Sequence, residues 1–364
     1  VTAPEPRPGI LGVRLYQGGE SRLPGRDRVI KLSSNESALG PSPRAMEAFK
    51  ATAATMHRYP DGHHLELRQA LGARHGLDPA RIVCGAGSDE VIQLLCRAYA
   101  GPDDEVLYSR HGFSIYPIVA QACGARPVAA EEIDYTVSVD NLLALVTPRT
   151  RVLFIANPNN PTGTYIPADE MKRLRADLPE HVLLVIDSAY AEYVGANDYS
   201  AGVELVDAGV NTVMTRTFSK IYGMGGVRLG WAYCPAPVAD VLNRVRGPFN
   251  LSTEAMVAGK AALEDTGFTA LARQHNDYWR PWLAAELAKL GIATVPSVAN
   301  FVLARFPREP GRDAAAVDAH LRSQGIIVRQ VGVYHLPDCL RISIGTGDEL
   351  HALIAALAEF VGPR

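Results

Sequence analysis

Between about residue 80 and residue 235 the chain alternates short, β-branched apolar runs with longer segments of helical periodicity, and this rhythm limits the available folds more than any other feature. RIVCG, EVLYS, RVLFIAN, HVLLVID, NTVMTRTF and LGWAYC read as strands, with SDEVIQLLCRAYA and ADEMKRLRADL as helices among them. Strands apolar on both faces cannot leave either face to water, so they predict an α/β fold with a mostly parallel central sheet covered by helices. In such sheets ligands gather beyond the carboxyl ends of the strands. After residue 250 the pattern changes: a helix around HNDYWRPWLAAELAKLG, a strand at NFVLARF, a helix near AAAVDAHLRSQG, strands at IIVR and LRISIG, and a final helix. The expected organisation is a large domain over residues 42–248 and a smaller α+β domain built from residues 1–41 and 249–364. No internal repeat interrupts this pattern.

Composition narrows the chemistry. With 364 residues, 47% of them hydrophobic, the chain can bury a sizeable core. A net charge of −3 supplies no global field for nucleic acid or an anionic membrane, so neither partner is expected and any anion must be held locally. The five cysteines are widely spaced and odd in number, which fits buried thiols in a reducing compartment rather than a disulfide framework. The ten histidines contain no HExxH, and no metal site is expected. The opening VTAPEPRPGILGVRLYQGG lacks the apolar stretch of a signal peptide, and no run approaches the roughly 20 residues of a membrane span. A cytoplasmic protein is the expectation.

Four polar clusters follow predicted strands. GAGSDE (85–90) opens a helix, where Ser88 or Asp89 can cap and free amides suit a phosphate, although an ordinary glycine turn explains it too. NPNNPTG (157–163) makes a rigid polar turn from which Asn160 can present its amide. VIDSAY (185–190) ends an apolar strand on Asp187, a carboxylate that near a core wants a cationic partner or a helix to cap, with the Tyr190 hydroxyl three residues on. TRTFSKIYGMGGVRLG (215–230) sets Lys220 among the hydroxyls of Thr217 and Ser219, glycines that permit a close backbone path, and Arg228, whose planar fork suits phosphate. A lone lysine is usually a solvated surface charge; these neighbours argue against that here.

Together these motifs resemble the aspartate aminotransferase superfamily, fold type I enzymes that use pyridoxal phosphate, and more narrowly the histidinol-phosphate aminotransferases. The likeness runs from LSSNESALGPSP (32–43) through HRYPDGHHLELRQALG (57–72) and the four clusters to LRISIGT (340–346). NPNNPTG, a strand-terminal aspartate and SKxxGxxGxRxG in this order are jointly specific. The resemblance implies that Lys220 holds the cofactor as a Schiff base and that Asp187 pairs with its pyridine nitrogen. It implies that Asn160 and Tyr190 bond the ring oxygen and that Phe113, in HGFSIY, stacks on the ring. The phosphate is expected against the amides of Ser88 and Asp89, with Thr217, Ser219 and Arg228 around it. Tyr59 would reach the phosphate of a neighbouring subunit, which implies a homodimer with shared sites.

The chemistry asks for the same residue types: a Schiff-base lysine makes a weak amine a covalent catalyst, and a carboxylate favours a protonated pyridine. For substrate, the resemblance places Arg341 on an α-carboxylate and Arg329 on a substrate phosphate, with Asn35 and Tyr16 as further contacts. The implied reaction exchanges an amino group between a small amino donor and a 2-oxo acid, namely L-histidinol phosphate with 2-oxoglutarate, in histidine biosynthesis. Two departures bear on this. LYQGGESR lacks the prolines usual around its tyrosine, and Ser188 stands where a glutamate is usual. Aromatic amino-acid aminotransferases and threonine-phosphate decarboxylases share most of these motifs and stay open as alternatives. A non-catalytic regulator would add a basic DNA-binding module, of which the chain shows no sign.

Overall fold

The computed structural model describes residues 4–362. Among the described residues thirteen strands fall into three sheets: β1 (Ile30–Lys31), β2 (Ile82–Gly85), β3 (Glu105–Ser109), β4 (Arg126–Ala130), β5 (Thr150–Ala156), β6 (Leu183–Asp187), β7 (Thr212–Thr217), β8 (Gly230–Tyr233), β9 (Ala293–Val295), β10 (Phe301–Arg305), β11 (Ile326–Ile327), β12 (Arg329–Val331) and β13 (Leu336–Ser343). The seven-stranded sheet has the order β2-β8-β7-β6-β5-β3-β4. Its neighbours pair in parallel from β4 to β7, while β8 runs antiparallel to both β7 and β2. The inner strands β5 and β6 are buried almost throughout, which is why they are apolar at successive positions.

The reversed strand shapes the edge of the sheet. Because only β8 runs backwards, the carboxyl ends of β2, β3, β5, β6 and β7 lie along one edge, and β8 begins there, with Gly230 opposite both Gly85 and Thr217. Helices close both faces: Ser88–Tyr99, Ile115–Cys123 and Ala236–Val245 on one side, and Ala168–Asp177 with Val203–Ala208 on the other.

A four-stranded antiparallel sheet, β12-β13-β10-β9, packs its Val302, Leu340 and Ile342 against Leu283, Leu321 and Leu353 of the helices Thr266–Lys289, Ala314–Ser323 and Gly347–Val361. The last of these helices starts with a complete capping box between Thr346 and Glu349. The N-terminal segment is tied to this part of the molecule by β1, which pairs in parallel with β11, Ile30 opposite Ile326. Among the described residues no helix is long and apolar enough to cross a membrane.

Three local expectations change. β4 and the helix Ile115–Cys123 escape the sequence patterns, since RPVAA is an edge strand with largely exposed or half-buried residues and the helix carries a proline. IIVR is not one strand: Ile326–Ile327 pair with β1 while Arg329 has moved across to β13. The helix after GAG is capped by Gly87 at φ 85°, without a side-chain cap, so Ser88 and Asp89 lie in its first turn.

Candidate active site

Asp187 is the last residue of β6, and Thr215 is its register partner on β7. Thr215 Oγ1 donates to Asp187 Oδ1 at 3.2 Å, and Tyr116 Oη donates to Oδ2 at 2.8 Å. Both carboxylate oxygens are thereby aimed, and among the described residues no side chain forms an ion pair with Asp187. Burial pushes its pKa up to about 6, against the opposing pull of those two hydrogen bonds. Tyr116 is fixed in turn by stacking on Phe154, ring centroids 4.8 Å apart.

Lys220 follows β7 within a short turn in which Met224 N bonds back to the Phe218 carbonyl and Gly223 adopts φ 67°. A side chain at 223 would strike the Gly40 carbonyl, so glycine is required there. The Lys220 amine makes no hydrogen bond or ion pair among the described residues and lies 5.6 Å from the centre of the Tyr190 ring. Burial, reinforced by the Arg341 charge, lowers its pKa to about 8. A neutral amine is therefore within reach near neutral pH.

At the start of the helix Ser88–Tyr99 the backbone amides lack intrahelical partners and point outward. Glycine is needed at two close approaches here. A Cβ on Gly87 would lie 2.2 Å from Arg228 Nη2, and one on Gly230 would lie 2.2 Å from Ser88 N. Arg228, at φ 59°, reaches Ser219 Oγ at 3.3 Å and Asp89 Oδ2 at 3.2 Å. The Ser219 amide is held by Thr217 Oγ1 at 3.1 Å.

The opposite wall comes from the N-terminal segment and the small sheet. Asn35, at φ 54°, donates through Nδ2 to Tyr190 Oη at 2.9 Å and through its backbone to Ser343 Oγ at 2.8 Å. Arg341 donates to Asn160 Oδ1 by a very short bond and to the Ser33 carbonyl at 2.9 Å. That leaves the Asn160 amide nitrogen without an assigned acceptor. Arg329 donates to the backbone carbonyls of Gln17 and Gly18. Tyr16 meets Phe113 edge to face, centroids 6.3 Å apart.

One cavity of about 340 Å³ gathers these groups. Its lining includes Lys220, Asp187, Tyr190, Asn160, Phe113, Ser88, Asp89, Thr217, Ser219, Arg228, Asn35, Tyr16, Arg329 and Arg341. Tyr59 is apart from it: its ring is 83% exposed and stacks on Phe249 at 4.8 Å. Four groups escaped the sequence patterns. Tyr116 and Thr215 orient Asp187; Tyr334 lines the cavity and its carbonyl accepts from His111 Nδ1 at 2.6 Å; Ser343 anchors Asn35. Only Thr215 carried a usable signal, since aligning the two adjacent strands by their apolar runs puts it beside Asp187.

A mostly parallel sheet whose carboxyl edge presents an unpaired lysine, an oriented aspartate and a helix start is the fold type I, pyridoxal-phosphate-dependent transferase architecture. The family model for aminotransferase class I and II matches residues 27–357, and the chain belongs to that family. The histidinol-phosphate aminotransferase of Paramagnetospirillum magneticum is 64% identical over 362 residues, covering 100% of each chain. That of Rhodospirillum rubrum is 58% identical and covers 98% of this chain and 97% of its own. Among solved structures, histidinol-phosphate aminotransferase from Sinorhizobium meliloti in complex with pyridoxal-5'-phosphate superposes with a TM-score of 0.91 at 30% identity, covering 99% of this chain and 98% of that one.

Proposed function

We propose that this protein is a pyridoxal-phosphate-dependent aminotransferase that interconverts L-histidinol phosphate and 2-oxoglutarate with imidazole acetol phosphate and L-glutamate, in histidine biosynthesis. The observation that carries the reading is the pairing, in one cavity, of an unpartnered, half-buried lysine with a buried aspartate whose two oxygens are already aimed.

The residues present fit the cofactor. Glycine at 87 lets the Arg228 guanidinium lie against a helix start that favours anions, and this suits its phosphate. We assign its phosphate to the amides of Ser88 and Asp89 with Thr217, Ser219 and Arg228. Its pyridine nitrogen goes to Asp187, its ring oxygen to Asn160 and Tyr190, its ring face to Phe113 and its aldehyde to Lys220. When bound, the group supplies an electron sink for the pair left at the substrate Cα.

The chain's own contribution is orientation and proton transfer. With a pKa lowered to about 8, Lys220 Nζ has a free lone pair in a useful fraction of molecules, and once released by the incoming amine it can take the Cα proton as a general base. Asp187, held by Tyr116 and Thr215, keeps a negative charge where a ring nitrogen would share its proton. Tyr190, with its pKa pushed up to about 12, keeps its hydroxyl proton and can donate it as a hydrogen bond. Arg341 and Arg329 provide two cationic forks for the carboxylates of glutamate and 2-oxoglutarate or the phosphate of histidinol phosphate.

We also infer a homodimer. Met46, Phe49, Met56, Tyr59 and Leu65 are exposed, and Tyr59 is expected to reach a partner's phosphate site. Sedimentation of the intact protein, with Tyr59→Phe assayed for weaker cofactor retention, tests both parts. A cytoplasmic location goes with this biosynthetic role.

The decisive experiment is a half-reaction titration. Purified protein loaded with pyridoxal phosphate is mixed separately with histidinol phosphate, phenylalanine, tyrosine and threonine phosphate while the visible absorbance is followed. Rapid loss of that absorbance with histidinol phosphate is expected. Response to phenylalanine without response to histidinol phosphate would hand the assignment to an aromatic aminotransferase.

A further inference from the structure

Glu132 lies just beyond β4, at the edge of the sheet where the loops after β3 and β5 meet. One of its oxygens, Oε1, accepts two hydrogen bonds: from His111 N at 3.2 Å and from Asn159 Nδ2 at 3.2 Å. The first donor belongs to the loop that delivers Phe113, and the second is the neighbour of Asn160. Its other oxygen, Oε2, is sealed from solvent beside Ser109 and makes no well-aligned hydrogen bond.

No cation among the described residues compensates this carboxyl. Glu132 takes part in no ion pair there, and the nearest charge on its own segment is Glu131, which is paired with Arg110. Burial pushes its pKa up to about 7 against the hydrogen bonds from His111 and Asn159 and the nearby Ser109 hydroxyl. A buried, uncompensated carboxyl is costly where packing alone is needed. Here its position gives it a task that an apolar side chain cannot do.

We propose that Glu132 is a positioning residue, one oxygen of which sets the spacing between the loop carrying Phe113 and the loop carrying Asn160. The proposal rests on the aminotransferase reading, in which those two residues bracket the cofactor ring. His111 extends the link, since its ring donates to the Tyr334 carbonyl in the cavity wall at 2.6 Å. Without the shared acceptor the two loops lose a side chain that bonds to both. Phe113 and Asn160 then drift relative to Lys220 and Asp187, which the sheet itself fixes.

The test compares Glu132→Leu, Glu132→Asp and Glu132→Gln with the wild-type protein. Glu132→Gln keeps an oxygen at the same reach without the charge; Glu132→Asp keeps the charge but withdraws the oxygen by one carbon–carbon bond. Readouts are pyridoxal phosphate affinity by fluorescence titration of the apoprotein, kcat and KM at saturating cofactor, and thermal unfolding. Glu132→Asp and Glu132→Leu are expected to weaken cofactor binding and lower kcat by about 10-fold or more, with KM for glutamate changed less, while Glu132→Gln stays within about threefold. Should Glu132→Leu fail to fold, the Asp and Gln pair decides. Wild-type affinity and kcat in Glu132→Asp, or equal damage in Glu132→Gln, would overturn the proposal. Cofactor affinity is read without turnover, and the wild-type assay alone tests the substrate assignment, so the two ideas fail separately.

Discussion

Arg329 and Arg341 stand directly opposite one another on β12 and β13, and both guanidinium groups line the same cavity. Like charges at opposed cross-strand positions repel. The arrangement persists because each arginine is held by neutral acceptors: Arg341 by Asn160 and the Ser33 carbonyl, Arg329 by the carbonyls of Gln17 and Gly18. Neither has a carboxylate in ion-pair reach among the described residues. Burial lowers the pKa of Arg341, and the neighbouring Arg329 charge pushes in the same direction.

The two arginines should respond differently to substitution. Arg341→Lys keeps the charge but loses the planar fork, and kcat/KM for glutamate and for histidinol phosphate should both fall on the order of 100-fold. Arg329→Gln should act unequally, raising KM more for one donor than for the other. Steady-state kinetics with both donors checks this; equal, small effects from both variants would remove the arginines from substrate binding.

Lys220→Ala is expected to lose the Schiff-base absorbance of the bound cofactor and to lower kcat by roughly 10⁴-fold or more, because anchor and base are the same amine. The variant should still retain pyridoxal phosphate through the cradle at Ser88 and Arg228. Absorbance spectra, bound phosphate and turnover on one preparation check it, and an active variant with an unchanged spectrum would contradict the assignment.

Asp187 makes a stability prediction with a definite sign. Its pKa is raised from 3.8 to about 6 on folding, so the folded apoprotein binds the extra proton between those values and loses stability as pH rises through them. Above pH 6 the penalty is complete and on the order of 3 kcal/mol. Asp187→Asn should therefore stabilise the apoprotein at pH 8 while abolishing turnover, and the gain should shrink below pH 6 and nearly vanish by pH 4. Tyr116→Phe removes a hydrogen bond that favours the ionised form, so it should move the transition to higher pH. Denaturant unfolding of apoproteins across this range measures both.

Gly230→Ala places a Cβ 2.2 Å from Ser88 N, a backbone atom that cannot swing aside. The expected result is a loss of cofactor affinity of about 10-fold or more, with about 1–3 kcal/mol of destabilisation from overpacking. Gly226→Ala, where nothing lies within 4 Å of the added atom, is the matched comparison. Fluorescence titration and thermal unfolding of the two variants give the contrast.

The amino-acid sequence determined most strands of the large sheet and most of the residues that line the cavity, because both rest on short-range patterns. Apolar runs such as LLVID can only be inner strands, and the polar residues that end them must then lie on one edge. That is why Asp187, Asn160, Lys220 and Arg228 were legible in the chain itself. What the tertiary structure alone decided are contacts between segments far apart in the chain: Tyr116 on Asp187, Arg329 on the Gln17 and Gly18 carbonyls, Glu132 between two loops, and Tyr59 away from its own cavity. Nothing local marks them. Periodicity fixes which face a residue takes, but strand register and loop packing choose its partner, and those are set only when the whole sheet has formed.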